Sequence, residues 1–289
     1  MPAAPPKLYK YMPIETARAV LANRTLRWST PRKFNDPFDM QLPLVLEIED
    51  EAVVAVALEK ISIAFDDDNF TPANEFGIGL SFLKASGVKL NRGEVDDEFK
   101  EALREGMSKL RAHLPVFNAE MIDGLSDSKI LCLSEDPLIS TMWSHYAEDH
   151  RGVVLEFGTP AGVDSPWNVA RPIHYRAAAP NFADADFLAN VLAGSADFDH
   201  QTTIDMFVYS KSSEWEYEKE WRIFSGSGRN READFEDISF HPEELKAIVF
   251  GCRATNQTVT EFSKLAKAIN PAVSVRQVER AGINLAFRQ

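Results

Sequence analysis

Only two cysteines, Cys132 and Cys252, occur in 289 residues, too few for a disulfide-stapled fold or a cysteine-based metal cluster. Each sits in or beside an apolar, strand-like run (ILCLS, AIVFGC), where a reduced, buried thiol is expected. Histidine is scarce as well. Of six, only His145 and His150 lie close together, and an i, i+5 offset is poor helical spacing for a shared ion. No metal is therefore expected. No apolar run approaches the roughly 20 residues that span a bilayer, so no membrane partner is expected either. The lead-in MPAAPPK lacks the charged and apolar regions of a signal peptide and reads as a flexible, Pro-rich arm, which makes the cytoplasm the expected compartment. Also missing are a glycine-rich phosphate loop after a strand, an HExxH pair, paired CxxC motifs and a nucleophile elbow.

Positive charge is in the minority. Lys and Arg number 31 against 44 Asp and Glu, a net charge of −13. That balance argues against non-specific binding to a polyanion or an anionic membrane, while leaving room for a local basic groove or one nucleotide-sized ligand. The rest of the composition, 45% apolar and 26% charged, is that of a globular protein with ample material for a core.

Along the chain, KLYKYM reads as a strand, PIETARAVLANRT as a short helix and TLRWSTP as a second strand halted by Pro31. FNDPFD carries turn chemistry: Asn35 and Asp36 accept backbone hydrogen bonds and Pro37 pre-sets a turn. From about residue 49 the pattern becomes helical. In DDEFKEALREGMSKLRAHL, Phe99, Leu103, Met107, Leu110 and Leu114 share one helix face. Strands return at KILCLSE, GVVLEFG and RPIHY, with a helix, STMWSHYAEDH, between the first two. Residues 182 to 212 read as helical. EWRIFS and ADFEDISF, joined by GSGRN, read as a hairpin, LKAIVFG as an apolar strand, and VSVRQV as a closing strand. TVTEFSKLAKAIN is a helix with Thr258 and Glu261 placed as a capping box. The expected fold is one α+β domain over 1–289, with a mixed or antiparallel β core and a helical insertion over 49–125.

Two stretches carry candidate chemistry. WEYEKEWR, read as a strand, sets Glu216, Glu218, Glu220 and Arg222 on one face by period-2 alternation. Such a row is either solvated, where the charge costs little, or lines a site that uses carboxylates. If the carboxylates are desolvated together, at least one is expected to have a raised pKa, with Arg222 partly offsetting the repulsion. SEDPLISTMWSHYAEDHRGVVLEF packs Trp143, His145 and Tyr146 onto one short helix, either as core aromatics or as the wall of a pocket for a planar ligand.

LYKY, WSTPRKFNDPFD, ILCLSED, MWSHYAEDHRGVVLEF, the HY strand, WEYEKEWRIF and LKAIVFG, in that order over residues 8 to 251, resemble a widespread bacterial family known only as domain of unknown function 2971. Their order is also similar to that of ADP-ribosyltransferases, whose arginine-serine-glutamate branch carries an arginine, a serine motif and a late Glu-x-Glu on successive strands. That second resemblance implies a split sheet, NAD as a substrate and a macromolecular acceptor, protein or nucleic acid, as in a toxin or antiphage effector. It assigns Glu220 to the ribose and its developing cation, Glu218 to the acceptor nucleophile, Lys10 (in place of the arginine) and Ser29 to cofactor binding, Trp143 and Tyr146 to ring stacking, and Arg222 to orienting the carboxylates. Tyr9, Asn35, Asp36 and His145 would support the pocket. The alternatives are an enzyme acting on nucleic acid, drawing on Arg18, Arg24, Arg27, Arg32 and Lys33, and a non-catalytic module for a ligand or partner protein.

Overall fold

The computed structural model describes residues 7–87 and 92–289, with side chains at 92–98 excepted. The Pro-rich arm expected at the start lies outside the described residues, apart from Lys7. In chain order the elements are β1 (Leu8–Met12), α1 (Ile14–Asn23), β2 (Thr25–Ser29), α2 (Asp50–Asp66), α3 (Glu75–Ala85), α4 (Arg92–Leu125), β3 (Ile130–Ser134), α5 (Ser140–Tyr146), β4 (Val153–Phe157), β5 (Arg171–Pro172), β6 (His174–Arg176), α6 (Ala185–Leu192), α7 (His200–Val208), β7 (Ser210–Ser212), β8 (Glu220–Phe224), β9 (Phe235–Ser239), β10 (Leu245–Phe250), α8 (Asn256–Ile269), β11 (Ser274–Ala281) and β12 (Asn284–Phe287). The fold is α+β. Its chain divides into two compact units, Met1–Met40 with Asp123–Ala177 and Tyr209–Gln289, and Gln41–Ile122 with Ala178–Val208.

The first unit is built on a mixed sheet in the order β12-β11-β10-β4-β1-β3-β2-β9, with β8 also on β3 and β5 on β8. All its pairings are antiparallel except β10 with β11. β4 is buried at every position, and its run VVLEF is apolar but for Glu156, as expected of a strand covered on both faces. Alternation then sorts the side chains. Leu8, Met12, Leu155, Phe157, Ile248 and Phe250 meet Val20 and Leu21 of α1 and Phe262 and Ala266 of α8 in one cluster. Tyr9, Tyr11, Val154 and Val249 meet Met142 and Trp143 of α5 in the other.

α5 stops after Tyr146, earlier than the sequence pattern suggested, and Glu148, Asp149 and His150 follow with φ of 52°, 49° and 68°. This left-handed run turns the chain tightly into Gly152, whose N–H bonds the Ala147 carbonyl at 2.8 Å. A Cβ on Gly152 would lie 2.4 Å from the Met12 carbonyl oxygen, so only glycine lets the turn pass beside β1.

Where β3 meets its neighbours the sheet opens. One edge of β3 pairs with β8 along its whole length. The opposite edge touches β1 only at Ser134 and β2 only at Ile130, so β1 and β2 part from it between those points. The Cys132 carbonyl, midway along that edge, accepts a hydrogen bond from Lys10 Nζ at 2.7 Å instead of from a strand.

The second unit is helical. Val53, Val54, Ala57 and Ile61 of α2, Leu80 of α3, Leu103, Met107 and Leu114 of α4, and Leu188 and Ala189 of α6 are buried. Asn74 and Asp184 cap α3 and α6 by accepting from the N–H groups of Gly77 and Phe187.

Four local expectations are corrected. Ser213–Glu218 is a 3-10 helix, so WEYEKEWR is not one strand; Lys219, at φ 46°, reverses the backbone before β8 begins. EWRIFS and ADFEDISF are not a hairpin, since β8 pairs with β3 and β5 whereas β9 pairs with β2. α8 is capped by Thr255, which accepts from Thr258 N, and Glu261 instead pairs with Arg18. Finally, the chain closes with two paired strands, β11 and β12, where one was expected.

Candidate functional site

The opening of the sheet frames a cavity of about 270 Å³. Tyr9, Lys10 and Tyr11 come to it from β1, Arg27 and Ser29 from β2, and Cys132 and Ser134 from β3. Met142 and Tyr146 of α5, Lys33, Phe34, Asn35 and Asp39 after β2, Lys211 of β7 and the carboxylates Glu218 and Glu220 also line it.

At its base lies a buried cluster of five charges. Lys211 Nζ sits 2.6 Å from Glu218 Oε2, 2.9 Å from Glu220 Oε2 and 3.4 Å from Asp39 Oδ2. Arg222 donates from Nε to Glu220 Oε1 at 2.7 Å and from Nη2 to Asp39 Oδ2 at 2.5 Å. No side chain in the cluster is more than 5% exposed. Charges this deep survive only when paired and hydrogen-bonded. Three carboxylates against two cations leave one negative charge uncompensated, and Asp39 Oδ1 is buried without a hydrogen-bond partner.

Glu218 and Glu220 converge for a reason the sequence pattern did not supply. Alternation along one strand would have set them side by side with Glu216. Instead the 3-10 turn ends at Glu218, the reversal at Lys219 follows, and Glu220 opens β8, while Glu216 is left exposed. Ser134 Oγ holds the turn by donating to the Glu218 carbonyl at 2.7 Å, and the Glu220 N–H donates to Tyr175 Oη at 2.7 Å. Tyr146 Oη donates to Glu218 Oε1 at 2.6 Å and accepts from Asn35 Nδ2 at 2.7 Å, which ties α5 and the Asn35 turn to the carboxylate.

Electrostatics set the protonation states. Burial alone would raise the Glu220 carboxyl, but Arg222 and Lys211 together outweigh it and hold it well below the usual carboxylate range. For Lys211, burial would lower the ammonium, yet Glu220, Asp39 and Glu218 drive its pKa up. The raised pKa expected of a crowded carboxylate is thus not found at Glu220, because the two cations override desolvation. Burial, then Glu218, pushes the Tyr146 phenol up. The Cys132 thiol is pushed up by burial and by Glu220, which makes it a poor nucleophile at neutral pH. Burial and Glu156 raise Tyr9 to about 12.

Lys10, Ser29, Tyr9, Tyr146, Asn35, Glu218 and Glu220 therefore meet around one cavity. Trp143 does not. It is fully buried, donates from Nε1 to the Pro137 carbonyl at 2.8 Å and packs edge-on against Tyr11, so its ring is a core element. His145 is exposed and contacts Tyr217 Oη through Nδ1 at 3.2 Å, away from the lining. Asp36 closes its own turn by accepting from Phe38 N, and Arg222 lies behind the carboxylates. Two residues the sequence reading passed over, Asp39 and Lys211, are central. Asp39 ends the FNDPFD turn already marked out. Lys211 stands in the run FVYSKS, of which Phe207 to Lys211 are buried in the structure.

Four of the five cations that suggested a nucleic-acid surface pair with carboxylates, two of them with the same one. Arg18 pairs with Glu261, Arg27 with Asp237, and Arg32 and Lys33 with Asp234. Among the described residues no group of His, Cys, Asp and Glu is placed to hold a metal ion, and no helix is long and apolar enough to cross a membrane.

Residues 142–223 match the family described as "Protein of unknown function (DUF2971)". That stretch runs from α5 to β8 and includes Tyr146, Lys211, Glu218, Glu220 and Arg222; Lys10, Ser29 and Asp39 fall outside it. No curated protein and no solved structure matches the chain.

Proposed function

We propose that the cavity takes the nicotinamide–ribose–phosphate half of an NAD-type dinucleotide and that the chain transfers the ADP-ribosyl group to a macromolecular acceptor. The observation that carries this reading is the burial of Glu218 and Glu220 at a cavity that Lys10 and Ser29 also line. The cavity is dipolar. Its base holds one uncompensated negative charge, while Lys10 spends one N–H on the Cys132 carbonyl and keeps two for a ligand. A nicotinamide dinucleotide is dipolar in the complementary sense, with a cationic pyridinium and an anionic pyrophosphate. At about 270 Å³ the space lies just under the roughly 300–1,000 Å³ of ligand pockets, which suits half of a dinucleotide and not the whole.

In the proposed step the C1′–N bond to nicotinamide breaks and the pair of electrons leaves with nicotinamide. The ribosyl centre becomes cation-like, and Glu220 with the residual charge of the cluster stabilises it. An acceptor oxygen or nitrogen then bonds C1′ and gives its proton to Glu218, which Tyr146 holds in place. The parting of β1 and β2 along β3 is in keeping with the split sheet that the resemblance to ADP-ribosyltransferases implies.

Lys10→Ala tests the phosphate end. Calorimetric titration of NAD is expected to show binding to the wild type weakened about tenfold or more in the variant, the loss of one charge-assisted hydrogen bond. Equal affinity in both chains would remove Lys10 from the site.

A further inference from the structure

A second groove in the first unit, lined in part by Ser140 at the start of α5, has a different character. Its lining includes Arg253 after β10, Arg280 at the end of β11, Arg288 after β12, Glu279 and His150, with Ile283 and Leu285 as an apolar wall. Its volume is about 670 Å³. In a chain of net charge −13, three arginines against one glutamate leave a local excess of two positive charges.

Elsewhere arginines meet carboxylates: Arg27 with Asp237, Arg104 with Glu51, Arg111 with Asp50 and Arg231 with Asp127. Here only Arg288 does, at 3.6 Å from Glu279. Arg253 bonds the Asp149 carbonyl through Nη1 at 3.3 Å, and Arg280 meets no partner among the described residues. Beside them, His150 Nδ1 is buried without a hydrogen-bond partner. Burial and then Arg253 lower the His150 pKa, with Asp149 working against them.

We propose that this groove is a separate ligand site for a phosphomonoester of nucleotide size. Guanidinium groups suit phosphate because their planar N–H pairs match two of its oxygens at once. The volume falls within the range of small-molecule sites. Ile283 and Leu285 supply an apolar surface for the body that carries the phosphate.

Titration of the full chain with adenosine monophosphate, and in parallel with inorganic phosphate, tests the assignment. The nucleotide is expected to bind saturably and more tightly than phosphate alone. Arg280→Ala, a change at an exposed position, should weaken it about tenfold or more, and Glu279→Gln, which removes the one opposing charge, should tighten it. Lys10→Ala should leave this binding unchanged, which separates it from the NAD-type cavity. No saturable binding at millimolar nucleotide, indifference to Arg280→Ala, or loss on Lys10→Ala would overturn the site. Phosphate binding as tightly as the nucleotide would overturn the nucleotide-sized ligand.

Discussion

Lys211→Met is expected to remove about 3–5 kcal/mol of folding stability, the usual consequence of deleting one partner from a buried ion cluster. Methionine fills the volume, so the loss is electrostatic. Asp39, Glu218 and Glu220 would then share Arg222 alone, and the excess negative charge in a site closed to water would rise from one to two. Lys33→Met is the control. It breaks a pair with Asp234 whose side chains are 53% and 41% exposed, and should cost no more than about 1 kcal/mol. Urea denaturation distinguishes the two; equal costs would mean that the cluster is not closed to water.

The same cluster sets limits in pH. Glu220 is held below its unfolded pKa of about 4.3, so its contribution is present above that value and is lost as pH falls through and below it. Lys211 is held above its unfolded pKa of about 10.4, so its contribution is present below that value and is lost as pH rises beyond it. Denaturation midpoints should form a plateau from about pH 5 to 10, falling on both sides. In Lys211→Met the acid fall should begin at higher pH, since Glu220 keeps only one of its two cations.

Glu220→Gln should behave in the opposite way to Lys211→Met. It takes the cluster from one excess negative charge to none, and the amide oxygen still accepts from Arg222, so the fold should persist. NAD turnover should fall about 10²–10³-fold, the scale of losing one preorganised electrostatic group at a developing charge. A folded Glu220→Gln chain that turns NAD over at the wild-type rate would assign the cluster a structural role alone.

How much of this was legible in the chain depended on range. β2 follows from alternation, β1, β3, β4 and β10 from short apolar runs and α8 from helical spacing, because each buries side chains against its neighbours. Inward-facing Glu218 and Glu220 were one of the two readings open to the WEYEKEWR row, and the strand alternation behind it was the wrong reason. The 3-10 turn and the reversal at Lys219 depend on contacts with Ser134, Tyr175 and Lys211, which lie 7 to 84 residues away along the chain and leave no periodic trace. Trp143 was misplaced because an aromatic on a short helix reads the same whether it faces a ligand or the core. Asp39 and Lys211 went unseen because a buried charge declares itself only through its partners.

Release of free nicotinamide from NAD by the wild-type chain, with water or a mixture of macromolecules as acceptor, tests the central claim most directly. Time-dependent release that Glu220→Gln suppresses is the predicted result. A correctly folded wild-type chain that neither binds NAD nor frees nicotinamide would contradict it.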